Sequence, residues 1–351
     1  MSGIVGQTTE PEMRNQSSVA RPRFREDGVV HVPAFDLPPS GLASAEARIA
    51  QMRRARMPAG IPPVDLDIAV VRKGLEAMLA PQVANMRETY AVTIEDADIG
   101  GVRTQIISPA DRASDDSRIL INLHGGGFSM CADACALLES IPVAALSGIP
   151  VVTVDYRMAP EATHPAAIED LEKVYRQVLG FHQAKHIGIY GCSAGGFLTA
   201  QASAWFPSQG LPMPGAIGVF GAGGVRSAAG DSAYVTAYID GSFPAPAKFS
   251  DPAVDSTRGY FAGSDLADSV ISPALHLDAL ANFPPTLIIT GTRAMDLSPA
   301  VYTNSQLMKA GVRTTLIVGE AMGHCYIYDS QLPEARDAHH AIANFFVEHL
   351  A

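Results

Sequence analysis

The chain has 351 residues, 47% of them hydrophobic, and a formal net charge of −11 at pH 7. That much apolar material fills one large domain, or a domain with a cap. The acidic balance argues against nucleic acid or an anionic membrane as a partner, and no run reaches the ~18 apolar residues of a membrane span.

The first residues, MSGIVGQTTEPEMRNQ, carry no basic-then-apolar leader pattern. Four cysteines (Cys131, Cys135, Cys192 and Cys325) are too few for a disulfide framework at this length. Together these features predict a soluble, cytoplasmic protein. Cys131 and Cys135 are spaced for one helical face, but no second pair of ligands accompanies them, so no metal site is expected.

Residues 1–35 are polar and broken by proline, which reads as a loosely docked arm. Helical patterns follow over Ala43–Met57 and Val64–Tyr90, the second interrupted near Pro81. Two strand-like runs, Ala91–Ile94 and Val102–Ile107, are joined through Gly100-Gly101, a hairpin signal. Strands and helices then alternate: strand Ile119–Leu123, helix Ala134–Leu146, strand Val151–Asp155, and helix Pro165–Leu179 opened by its proline.

A strand at 186–190 and the helix after it follow, then strands Ala216–Phe220, Thr286–Thr290 and Thr314–Val318, with helices Pro299–Ala310 and Ala335–His349. Nearly continuous apolar strands alternating with helices predict an α/β fold: a mostly parallel central sheet covered on both faces. The segment 223–272, rich in small residues and aromatics, breaks the alternation and is too long for a bare connection. It reads as an inserted cap between two parts of a catalytic domain, 91–222 and 273–351.

Three features carry chemistry. Gly191-Cys192-Ser193-Ala194-Gly195, between a strand and a helix, has the pattern of a nucleophile elbow, in which small residues allow a strained turn that lifts a serine hydroxyl clear of the backbone. At the end of another strand, His124-Gly125-Gly126-Gly127-Phe128 can bring bare N–H groups up to a substrate oxygen. Gly126, Gly127 and the Ala194 N–H are the expected oxyanion donors, with His124 bracing the loop. No Gly-Lys-Ser/Thr follows the glycines, which argues against a phosphate-binding loop.

The proton carrier is expected after the nucleophile. Among ten histidines, His324 is singled out by its place in a loop after a late strand, beside Gly323. Asp296 is the one carboxylate following the strand Thr286–Thr290, though it also sits where a helix N-cap belongs; Glu320 is a remote fallback. The order Ser…Asp…His separates this set from trypsin-like and subtilisin-like arrangements.

With Val154-Asp155-Tyr156-Arg157-Met158-Ala159-Pro160-Glu161 and His164-Pro165-Ala166-Ala167-Ile168-Glu169-Asp170 added, the chain from about Thr93 onward resembles the hormone-sensitive-lipase-like branch (bacterial family IV) of α/β-hydrolase esterases. Asp155 and Arg157, with Glu161, are expected to pair and pin the loop below the elbow.

The sequence departs from the family twice: Cys192 stands where Asp often precedes the serine, and Ala294 stands where many relatives place the acid, two residues before Asp296. The resemblance implies an α/β-hydrolase fold with a helical cap, built from the helices within 1–90 and the 223–272 segment. It implies short-chain carboxylic esters as small-molecule substrates and no cofactor; Phe128, Met130, Tyr156 and Met158 are candidate pocket walls, with ordinary core as the other reading of each. Relatives are often homodimers. An amidase or lactonase with the same triad, or a non-catalytic small-molecule receptor, are the alternatives.

Overall fold

Short apolar runs bounded by turn residues become strands, and in a parallel sheet covered on both faces nearly every strand position is buried. The computed structural model describes residues 21–54, 66–110, 117–225, 230–236, 239 and 257–350. Residues 1–20 of the expected arm lie outside the described residues. So do 55–65, the end of the first predicted helix included, and much of the expected cap segment (226–229, 237–238 and 240–256).

The chain divides into two units, Met1–Pro39 and Ser40–Ala351. In the first, β1 (Arg23–Phe24) pairs antiparallel with β2 (Val30–His31).

The second unit begins with α1 (Ala45–Arg54) and α2 (Ile68–Thr89). Ser44 Oγ accepts the Ala47 N–H and Asp67 accepts the Ala69 N–H, so each helix start has a side-chain acceptor for an otherwise orphaned donor. α2 runs through Pro81 without the expected break. Proline removes one N–H from the ladder, and burial of Val71, Leu79 and Met86 along the same helix holds it across that gap.

Strands β3 (Val92–Ile99) and β4 (Val102–Pro109) form the predicted hairpin, turning at Gly100 and Gly101 with φ of 68° and 78°. Then come β5 (Ile119–Leu123), α3 (Ala134–Ser147), β6 (Val151–Val154), α4 (Ala166–Val178), β7 (Ile187–Cys192), α5 (Ala194–Trp205) and β8 (Ala216–Phe220). A short α6 (Leu277–Leu280) precedes β9 (Thr286–Gly291), α7 (Leu297–Lys309), β10 (Thr314–Gly319) and α8 (Pro333–His349).

Eight strands make one sheet in the order β10-β9-β8-β7-β5-β6-β4-β3, with only β4 running against the rest. Alternate strand residues feed two cores. Tyr190, Cys192 and Phe220 pack with α3 and α8 on one face. Ile187, Ile189, Ile217 and Val219 pack with α4 and α5 on the other.

From β5 the chain crosses to β6 on one side, then returns past β5 to β7 on the other. The sheet therefore changes direction between β5 and β7, and in open α/β sheets ligands bind at the strand ends beside that switch point. Both the glycine loop and the serine turn leave the sheet there.

Candidate active site

Ser193 takes φ 59° and ψ −120° between β7 and α5, a conformation that costs energy for a non-glycine residue and persists only where the surroundings impose it. Here they do. A Cβ at either Gly191 or Gly195 would overlap the Leu123 carbonyl oxygen at the end of β5, so only glycine lets the elbow press against its neighbour. The Ser193 N–H donates to the Phe220 carbonyl of β8 at 2.8 Å, fixing the other flank.

His324 Nε2 lies 2.9 Å from Ser193 Oγ, and its Nδ1 lies 2.6 Å from Asp296 Oδ1. Asp296 is fully buried, and the Thr290 hydroxyl donates to its second oxygen at 2.5 Å. The residue occupies the N-cap position of α7 but makes no capping bond, so its carboxylate is committed to the histidine. A turn closed by the Leu297 N–H and the Ala294 carbonyl carries Asp296 to His324 despite its two-residue displacement from Ala294. Glu320 is exposed and accepts from the Ser40 hydroxyl at 2.7 Å.

Among the described residues, neither the Gly126 nor the Gly127 N–H has a hydrogen-bond acceptor, whereas the Gly125 N–H is taken by Glu139 Oε1 at 2.9 Å. Ala194 opens α5, where backbone donors have no intrahelical partner. The three expected donors thus keep their hydrogen-bonding capacity unspent. His124 braces the loop as expected: Nδ1 bonds the Gly125 carbonyl at 2.7 Å and the ring stacks on Tyr156 at 4.2 Å. Burial pushes its pKa down, so the ring stays neutral.

Of the expected pocket walls, Phe128 is buried and stacks on Tyr260 at 4.6 Å, with Phe261 edge-on at 5.1 Å. Met130 packs in the core beside α2 and α3. Tyr156 lies beneath the glycine loop, donating to the His124 carbonyl at 2.7 Å, and Met158 is half-buried.

Two expectations are corrected. Asp155, Arg157 and Glu161 do not pair with one another. Asp155 accepts from Arg103 of β4 at 3.0 Å, Arg157 reaches Asp170 and Glu169 of α4 at 2.8 Å each, and Glu161 takes both guanidinium nitrogens of Arg72 on α2 at 2.7 Å. The Arg157 N–H also donates to Asp170, turning that residue toward α4. Each charge finds a partner on a different element, and the loop is pinned outward to three of them.

The cysteines are the second correction. All four are paired, Cys131 with Cys135 and Cys192 with Cys325. The second bridge joins the residue before the serine to the residue after the histidine across 133 positions. No group of His, Cys, Asp or Glu among the described residues is arranged to hold a metal. None of their helices is long and apolar enough to cross a membrane.

Sequence reasoning also missed Thr290, a strand residue like any other, and Glu139. The latter left one signal: it is the sole charged residue in the apolar α3.

A profile of a family described as the alpha/beta hydrolase fold matches residues 120–328. The chain is 28% identical over 249 residues to an acetyl-hydrolase of Streptomyces hygroscopicus, covering 68% of this chain and 78% of that one. The crystal structure of an esterase E25 superposes with a TM-score of 0.76 at 28% identity, over 92% of this chain and 99% of the other. An esterase from the bacterial hormone-sensitive lipase family gives a TM-score of 0.74 at 25% identity, over 88% and 100%. The chain belongs to the α/β-hydrolase family, in the hormone-sensitive-lipase-like branch of carboxylic ester hydrolases.

Proposed function

We propose that the protein is a serine carboxylesterase that hydrolyses short-chain acyl esters through an acyl-enzyme on Ser193. The observation that carries this reading is the continuous chain of contacts from Ser193 Oγ through His324 to buried Asp296, at 2.9 and 2.6 Å.

Ser193 Oγ attacks the ester carbonyl carbon while His324 Nε2 takes its proton, and Asp296 orients the ring and stabilises the imidazolium. The N–H groups of Gly126, Gly127 and Ala194 hold the oxyanion of the tetrahedral intermediate. As the bond to the alcohol breaks, His324 returns its proton to the leaving oxygen, and Ser193 is left acylated. Water then gives its proton to His324 and attacks the acyl carbon. Collapse of the second intermediate frees the carboxylic acid and restores the serine. The chain supplies every group, so the reaction needs no metal or cofactor.

A small acyl site is supported by the aromatic packing of Phe128, Tyr260 and Phe261 beside the glycine loop and by similarity to a protein named acetyl-hydrolase. Phe128 and Met158 are the proposed walls, with Met130 and Tyr156 behind them. The helices within 1–90 and the segment 223–272 are the proposed cap over a catalytic domain of 91–222 and 273–351.

The substrate is a small-molecule ester, and a homodimer belongs to the same reading, tested by sedimentation. Cytoplasmic residence is tested by thiol titration on fresh lysis: a reducing compartment leaves Cys192 and Cys325 as thiols, an oxidising one keeps the bridge.

The deciding experiment is hydrolysis of p-nitrophenyl esters from acetate to palmitate, with Ser193→Ala in parallel. Activity peaking at short chains and lost in the variant is the expected result. Hydrolysis that survives Ser193→Ala would overturn the mechanism, and a peak at palmitate would overturn the short-chain preference.

A further inference from the structure

Glu139 is the one charged residue of the largely apolar α3 and is 2% exposed. Burying a carboxylate costs several kcal/mol unless hydrogen bonds replace its hydration. Four donors do so here. Glu139 Oε1 accepts the Gly125 N–H at 2.9 Å and the Tyr328 hydroxyl at 2.6 Å; Oε2 accepts the Asn122 amide at 2.8 Å and the Cys192 N–H at 3.0 Å.

Those donors come from separate parts of the chain. Asn122 belongs to β5. Gly125 directly precedes the two oxyanion glycines, Cys192 directly precedes Ser193, and Tyr328 follows His324 by four residues. One carboxylate therefore touches the three loops that must keep register for the reaction. Gly125 makes this possible. A Cβ there would lie 2.5 Å from the Tyr328 oxygen, so the first glycine of the loop clears room for the clasp rather than for substrate.

Each carboxylate oxygen accepts a backbone N–H, from Gly125 and from Cys192, groups that can only donate and so suit an ionised carboxylate. Burial opposes them and raises the Glu139 pKa to about 7. Holding an anion in this place is costly, and an apolar side chain would fill the same helix face more cheaply.

We propose that Glu139 is a positioning residue for ester hydrolysis, holding the oxyanion loop, the serine elbow and the histidine loop in mutual register. The inference rests on the esterase reading above. Glu139→Gln keeps the shape but offers an amide to a site built of donors, so at least one bond fails. Misplacing reacting groups by a fraction of an ångström to an ångström slows the chemical step while leaving ground-state binding nearly intact, so kcat for p-nitrophenyl butyrate should fall about 10- to 100-fold with KM almost unchanged.

Tyr328→Phe removes one of the four bonds and should cost roughly 3- to 10-fold in kcat. Added to Glu139→Gln, it should cost less than it does alone, because the two share one interaction. Melting curves fix a temperature at which each variant is fully folded, and rates are compared there. Should Glu139→Gln not fold, Tyr328→Phe decides the matter alone.

Folded variants with kcat within twofold of the parent, or equal losses in kcat and binding, would overturn the positioning role. Ser193→Ala run alongside separates the cases. If Ser193→Ala is inactive and Glu139→Gln is normal, only this inference fails; if Ser193→Ala remains active, the esterase mechanism fails with it.

Discussion

The elbow and the acid loop are both strand-to-helix turns at the C-terminal ends of parallel strands, β7 and β9, yet they hold their key residues in opposite ways. Ser193 is held by backbone. Its φ of 59° is imposed by glycines that pack against β5 and by the Ser193 N–H bond to β8, while its side chain meets only His324 among the catalytic groups. Asp296 is held by its side chain. Its backbone is ordinary, with φ −84°, but its carboxylate is fully buried between Thr290 and His324. The elbow should therefore tolerate loss of its functional side chain and resist any change in its shoulders. The acid loop should be sensitive at the carboxylate.

The largest effect should come from Ser193→Ala. It removes the nucleophile and nothing that shapes the turn, so hydrolysis should drop by about 10⁵-fold or more with an unchanged melting temperature. Asp296→Asn should cost about 10³- to 10⁴-fold in kcat, because the amide favours the wrong imidazole tautomer. A stopped-assay comparison on p-nitrophenyl butyrate reads both. Near-normal activity in the asparagine variant would remove Asp296 from the mechanism.

Gly195→Ala tests the backbone side of the contrast. Its methyl group would meet the Leu123 and His124 carbonyls, so stability should fall by about 3 kcal/mol, read in urea titration, and activity should fall with it. If it folds and works normally, the elbow is not built by close packing.

Cleaving Cys192–Cys325 with a phosphine reductant should lower kcat by roughly 3- to 10-fold, since the bridge ties the elbow to the histidine loop, and reoxidation should restore it.

The last effect is on acid stability rather than on rate. His339 of α8 is buried, and burial lowers its pKa to about 4 from 6.5, so it stays neutral in the fold while the unfolded chain takes up a proton. Stability is then full well above pH 6.5 and declines as pH falls toward 4, by about 3 kcal/mol at pH 4.5. His339→Leu should flatten that part of the pH–stability curve. An unchanged slope would show that other groups set it.

Much of the frame was legible because it is local. Alternation of apolar strands and helices placed every strand from β4 to β10 within about two residues, β3 running five residues longer than expected, and glycine spacing marked both the elbow and the glycine loop after β5. The helix through Pro81 was missed because a breaker signal was outweighed by burial of Val71, Leu79 and Met86, a tertiary term. The expected cluster of Asp155, Arg157 and Glu161 failed for a similar reason: neighbours in sequence were paired with each other when β4, α4 and α2 supplied better-placed partners.

Residues 120–328 carry the family pattern by themselves, and the order Ser193, Asp296, His324 with Gly126, Gly127 and Ala194 could be written down from the chain alone. That is so because a strained turn or a bare N–H loop depends on a few contiguous residues whose backbone freedom is visible in their identity. What only the tertiary structure decided is which distant side chains meet. The turn that brings Asp296 to His324, the Cys192–Cys325 bridge and the convergence of four donors on Glu139 all join positions far apart in the chain. Their meeting depends on the strand order and on which face each side chain takes, and neither is encoded in local spacing.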